Sequence, residues 1–187
     1  MRKLVLSMGV SLDGLVARAG PHGAGGWGLP PEDPALKERK LGWMHDIGLH
    51  LMGRNTYEEM AEFWPVSDDA YAAPMNEIPK VVFSRTLERA EWADSRIARG
   101  DLAQEITTLK REPGKDMLAW GGAAFAQSLS RLGLVDEYRL ILQPVALGQG
   151  LPLFKDLTAP LRLKLVDAQP YPTGAALHVY RPASAAS

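Results

Sequence analysis

Short apolar runs of strand length alternate with helix-length amphipathic stretches along most of this chain, and no other feature limits its fold as strongly. A strand that is apolar on both faces must be covered on both, and the intervening helices are the available cover. Residues 3–9, 49–52, 81–84, 117–120 and 138–145 read as strands, and 34–47, 55–63, 102–111 and 123–132 as helices. Gly133 follows the last helix as a C-cap signal. SLDG at 11–14 is a turn, 19–34 is a long Gly/Pro-rich loop, and a further loop carries Pro74 and Pro79. Residues 161–166 and 176–180 follow each other without a helix between them and read as antiparallel strands. The expected fold is a single α/β domain over 1–187, with an ordered core at 1–181 and a tail at 182–187. Its architecture is a three-layer α-β-α sandwich around a mixed, mostly parallel sheet with an antiparallel C-terminal edge.

With 46% apolar and 23% charged residues, the 187-residue chain has enough material for a real core. A net charge of −1 lacks the electrostatic footprint of a nucleic-acid binder. The absence of cysteine removes disulfides, thiolate nucleophiles and thiolate-ligated metals together, and fits a cytoplasmic protein. Arg2 and Lys3 before an apolar run imitate a signal peptide, but Asp13 follows soon after with no small-residue cleavage site. Residues 4–10 therefore read as a buried first strand, and no run is long enough to span a bilayer.

Three strand-to-helix junctions share one chemistry. They are Met52-Gly53-Arg54-Asn55-Thr56, Phe83-Ser84-Arg85-Thr86 and Trp120-Gly121-Gly122-Ala123. In a parallel sheet such junctions gather at the carboxyl ends of the strands, where α/β proteins bind ligands. Glycines let backbone N–H groups approach an anion, and the helix N-termini add a favourable dipole. Arg54 and Arg85 supply planar forks matched to phosphate oxygens. Three such sites suggest an extended anion, such as a dinucleotide with an additional phosphate. Taken singly, each glycine is an ordinary turn residue and each arginine an ordinary solvated one.

Other patterns carry less. Gly23-x-Gly25-x-x-Gly28 matches the dinucleotide fingerprint only formally, because Pro30 and Pro31 follow at once and no helix opens. Ser11 lies outside any nucleophile-elbow pattern. His22, His45, His50 and His178 lack metal-ligand spacing, and of the four only His50, beside the first junction strand, is placed to touch a cofactor.

Together, SLDG at 11–14, MGRNTY at 52–57, VFSRT at 82–86, GGA at 121–123, VDE at 135–137 and PVALGQG at 144–150 resemble the dihydrofolate reductase superfamily. The similarity runs over nearly the whole chain and is strongest to the branch that includes the reductase domain of the bifunctional riboflavin-biosynthesis deaminase/reductase. The resemblance implies an oxidoreductase that uses NADPH. In such proteins the residues matching Arg54 and Thr56 bind phosphates, and those matching Ser84, Arg85 and Thr86 hold the 2′-phosphate and flank adenine. Those matching Gly121 and Gly122 approach the pyrophosphate, with Gly53, Asn55 and Ala123 completing the cofactor set. It further implies an acid after the Trp27-Gly28-Leu29-Pro30 segment that protonates the reduced bond. Glu32 and Asp33 are the candidates, and which of them corresponds stays open because two prolines disturb the register. Asp33 before Pro34 also reads as a helix N-cap.

Asp13, Trp27, Phe63 and Trp64 are the expected substrate contacts, since flat aromatic rings suit a planar heterocycle. Asp13 also reads as a plain turn residue, and Phe63 as core. The expected activity is hydride transfer from NADPH to a small pterin- or pyrimidine-like ring. One alternative is 5-amino-6-(5-phosphoribosylamino)uracil reductase, with Arg18 and Lys37 as the available cations for a substrate phosphate. An alternative of another class is a non-catalytic NADPH-binding module. The resemblance also implies a homodimer through late edge strands, and neither a nucleic acid nor a membrane partner is expected.

Overall fold

A computed structural model describes residues 1–17, 27–29 and 31–183. The chain runs β1 (Leu4–Ser11), β2 (Leu15–Ala17), α1 (Pro34–Met44), β3 (Ile47–Gly53), α2 (Arg54–Phe63), a 3-10 turn (Trp64–Val66) and α3 (Ala72–Glu77). It continues with β4 (Lys80–Phe83), β5 (Ser95–Ala98), α4 (Leu102–Arg111), β6 (Asp116–Trp120) and α5 (Ala123–Arg131). The last strands are β7 (Glu137–Gln143), β8 (Leu151–Pro152), β9 (Leu163–Pro170) and β10 (Ala176–Pro182).

Eight strands form one sheet in the order β5-β4-β3-β6-β1-β7-β10-β9, and β2 pairs separately with β8. β5 through β7 are mutually parallel, while β10 and β9 are antiparallel. The expected mixed sheet is therefore present, with its antiparallel pair at the C-terminal edge. The core has three clusters, one of them around Leu36, Ile141 and Leu177, and strand alternation separates the two largest. Leu4, Leu6 and Met8 of β1 and Met117 and Ala119 of β6 face Ile106 of α4 and Leu129 of α5. Val5 and Leu118 face the other way, against Met44 of α1, Tyr57 of α2 and Met75 of α3. Helices thus cover both faces, giving the three layers.

Several elements depart from expectation for local reasons. α1 stops at Met44, and β3 begins at Ile47, because the turn at His45 and Asp46 reverses the chain. The segment around Pro74 is helix rather than loop; in the first turn of α3 the missing proline N–H is one that no helix would use. β5 was hidden because it is four residues long and half polar, and β2 and β8 because they are shorter still. Gly133 has φ +64° after α5, as its C-terminal position requires.

One buried polar joint ties three elements together. His50 of β3 is 0% exposed; its Nδ1 accepts from Trp120 Nε1 of β6 at 2.9 Å, and its Nε2 faces the Pro74 carbonyl of α3 at 3.3 Å. Accepting at Nδ1 requires the neutral ring with its proton on Nε2. Burial, with a smaller contribution from nearby Lys80, lowers the His50 pKa from 6.5 to about 4. Between those values the unfolded chain binds a proton that the folded chain refuses, so stability falls as pH drops through that window. Urea unfolding midpoints should decline from pH 6.5 toward about 4, and His50→Gln should flatten that decline.

Candidate functional site

The parallel strands end along one edge, and their carboxyl termini carry every junction singled out in the sequence. β3 delivers Gly53, followed by Arg54 as the first residue of α2. β4 delivers Ser84 and Arg85, and β6 delivers Gly121, Gly122 and the start of α5 at Ala123. β1 outruns β6, since Ser7 is level with Trp120, so Met8 and Gly9 continue past the glycines as a wall.

Two cavities lie along this edge. The first, about 510 Å3, is lined by Gly53, Arg54, Asn55, Thr56, Ser84 and Arg85, with Gly122 and Ala123 at one side. Phe83 and Phe125 also line it, their rings stacked with centroids 5.2 Å apart. Arg54 is held from both sides: Nε donates to Glu58 at 2.8 Å and Nη1 to Thr86 Oγ1 at 3.0 Å. Ser84 Oγ accepts from the amides of Thr86 and Leu87 at 3.2 and 2.9 Å, which fixes the turn while leaving its own O–H to donate. Thr86 reaches the cavity only through Arg54.

Arg99 and Gly100 complete that lining and were missed in the sequence. The signal was present, an Arg-Gly pair after a strand like the Gly-Arg pair after β3, but β5 itself was not recognised. Arg99 donates to the backbone carbonyls of Arg85 and Leu87, so it braces the 85–88 turn.

The second cavity, about 590 Å3, adjoins the first at Gly122 and Ala123. Trp27, Leu29, Trp120, Met8, Gly121 and Gln143 line it, as does Lys40 of α1. Of the expected substrate contacts it receives Trp27 alone. Asp13 instead clamps a loop, accepting from Ser11 Oγ at 2.5 Å and from the amides of Leu147 and Gly148 at 3.1 and 2.7 Å. Those bonds, led by the Ser11 hydroxyl, lower the Asp13 pKa to about 2. Phe63 and Trp64 pack edge to face at 4.8 Å at the end of α2, Phe63 largely exposed and Trp64 against Tyr71, and neither lines either cavity. His50 does not touch the cleft directly; it stands behind Trp120.

The two candidate acids lie in a smaller cavity of about 120 Å3 that shares Leu29 and Gln143 with the larger one. Asp33 is 5% exposed and caps α1 by accepting from the amides of Ala35 and Leu36. Glu32 accepts from Lys40 Nζ at 2.6 Å and from the Tyr71 hydroxyl at 3.0 Å. Lys37 pairs with Asp69 at 2.7 Å, away from the cavity. Arg18, His22, Gly23, Gly25 and Pro30 lie outside the described residues.

A mixed sheet whose parallel strands end at a basic cleft and an aromatic cavity, joined at Gly122 and Ala123, is that of a dihydrofolate reductase-like α/β domain. Within that class, the chain belongs to the family described as the RibD C-terminal domain, which it matches over residues 2–177. It is 30% identical over 184 residues to the uncharacterized Bacillus subtilis protein YyaP, covering 96% of this chain and 94% of that one. Solved structures of the same fold include a protein from Shewanella sp. PV-4 assigned to riboflavin biosynthesis (TM-score 0.78, 23% identity, 97% and 99% of the two chains). The fold also matches a Thermotoga maritima diaminohydroxyphosphoribosylaminopyrimidine deaminase/5-amino-6-(5-phosphoribosylamino)uracil reductase (0.69, 17% identity, 97% of this chain and 57% of that). Dihydrofolate reductase from Enterococcus faecalis, complexed with NADP(H), matches at 0.62 with 14% identity over 97% of each chain.

The glycine pair is not interchangeable. Gly122 has φ +82°, and a Cβ there would lie 2.7 Å from Thr56 Oγ1, whereas a Cβ at Gly121 would meet only Met8 Cε at 3.8 Å. Gly122→Ala should cost about 1–2 kcal/mol from backbone strain alone, and Gly121→Ala less; paired urea unfolding curves check the difference.

Proposed function

We propose that this chain is an NADPH-dependent reductase that delivers a hydride to a small conjugated heterocycle, pterin- or pyrimidine-like. The observation that carries the reading is the joining of a basic cavity and an aromatic cavity at Gly122 and Ala123, so that one extended ligand can occupy both. Family membership and the NADP(H) complex of the enterococcal reductase, which has the same fold, support it.

The residues present fit the cofactor. Arg54 and Arg85, with the Ser84 hydroxyl, would hold a 2′-phosphate. Gly122, the N-cap of α5 at φ +82°, would turn its bare backbone and the helix N-terminus toward a pyrophosphate. The stacked Phe83 and Phe125 offer an apolar surface to a nucleobase. When bound, NADPH supplies the hydride.

The protein's own contribution is placement and exclusion of water. Trp27 and Trp120 flank the aromatic cavity, and the His50 bond fixes the Trp120 indole there. Glu32 or Asp33 remains the proposed proton source. Glu32 is one ion pair from the cavity, through Lys40, whereas the Asp33 carboxylate already serves the α1 amides. A riboflavin-pathway uracil reductase is the second reading, favoured by the family itself. It needs a cation for a substrate phosphate, and among the described residues Lys40 alone lines the cavity with a charge.

We further propose a cytoplasmic homodimer. The outer strand β9 leaves Leu165 and Val166 47% and 41% exposed beside an unpaired edge, a surface a second copy would cover. Among the described residues no helix is long and apolar enough to cross a membrane.

Titrations of NADPH and NADH against wild type, Arg54→Ala and Arg85→Ala test the cofactor reading. A lost charged hydrogen bond should weaken NADPH by roughly 10-fold or more and leave NADH little changed. Equal losses for both would contradict it.

A further inference from the structure

We propose that Lys40 sets substrate specificity in the aromatic cavity, favouring planar heterocycles that present carbonyl or anionic oxygens and disfavouring those that present amino groups. The inference rests on the reductase reading and names the substrate edge that reading leaves open.

The position of Lys40 is unusual for a lysine. Leu36, Lys40 and Met44 stand four residues apart on α1, so helical spacing places them on one face. Leu36 and Met44 are buried, 2% and 6% exposed. A lysine on that stripe forfeits hydration, a cost that needs compensation. Glu32 supplies it at 2.6 Å, and the Tyr71 ring lies 5.0 Å from the same Nζ. Glu32 is steadied in turn by the Tyr71 hydroxyl, which donates to its other oxygen at 3.0 Å. The ammonium has three donors, and Glu32 is its one side-chain acceptor among the described residues.

The charges are arranged in order. The carboxylates of Glu32 and Asp33 line only the small cavity behind. Lys40 is the one charged side chain, among the described residues, that lines the large one. Trp27, on the same wall, has a buried indole N–H with no partner among the described residues. The Trp120 N–H is already taken by His50. Lys40 and Trp27 therefore offer a flat ring donors that an acceptor edge satisfies, while the Gln143 amide and Ser7 hydroxyl, which also line the cavity, can donate or accept. An amino-bearing edge would place N–H against an ammonium and leave both unsatisfied.

Calorimetric titration with two probes of like shape tests this: lumazine, a pteridine dione, and its diamino counterpart. Wild type should bind lumazine roughly 10-fold or more tightly than the diamine. Lys40→Met should lose that preference by weakening lumazine while leaving the diamine within about twofold, and Lys40→Arg should keep it. Lys40→Gln serves in place of the methionine variant if that one does not fold. NADPH affinity, read in parallel, should change less than lumazine affinity in all of them, because Lys40 does not line the basic cavity proposed for the phosphates. The proposal is overturned if lumazine does not bind at millimolar concentration, binds no better than the diamine, or keeps its preference without Lys40. A wild-type protein that discriminates the probes yet ignores NADPH would overturn the cofactor reading and leave this one standing.

Discussion

The approach of Gly122 to Thr56 is the contact on which the cleft depends. A side chain at that position would meet the threonine hydroxyl at 2.7 Å, so only glycine lets the β6–α5 turn settle against the first turn of α2. That seam brings two cavities into one cleft. The basic half is built on β3, β4 and β5 and the aromatic half on β1, β6 and the segment before α1, with the β3–β6 ladder beneath the seam. Gly122 has φ +82°, and with Ala123 it lines both cavities.

Around the seam, rigidity comes from buried polar groups as much as from apolar ones. His50 links β3, β6 and α3, and the indole it holds is a wall of the aromatic cavity. Lys80, 1% exposed, donates to the carbonyls of Asn76 and Ala93 and lies over the Trp92 ring, fastening β4 to its surroundings. Glu137, 4% exposed, accepts from Arg139 and Arg181; those cations hold its pKa low against the opposing effect of burial. His50 and Glu137 have partners for their side-chain polar atoms, and Lys80 meets two carbonyls and a ring, so all three fix geometry where they are buried.

Much of this was legible in the sequence because strand periodicity and junction chemistry are local. The runs that became β1, β3, β4 and β6 are largely apolar on both faces, and the glycines and arginines after β3, β4 and β6 sit where the sheet converges. β5 was not legible, being four polar-flanked residues that form a strand only because β4 offers an edge, and Arg99 was lost with it. Asp13, Phe63 and Trp64 were singled out by residue type, which does not reveal their neighbours: a loop for Asp13, and each other's rings with Tyr71 for the aromatics. Lys40 escaped for the opposite reason. On a helix, charge reads as solvent-facing, and only the tertiary placement of Glu32 and Tyr71 shows it turned toward a cavity.

If one dinucleotide bridges the seam, amide hydrogen exchange with and without NADPH should detect it at both cavities at once. Exchange should slow together at 53–57, 84–87, 99–100 and 121–123, with the β9 edge unchanged. Slowing at a single junction, or none at 121–123, would contradict it.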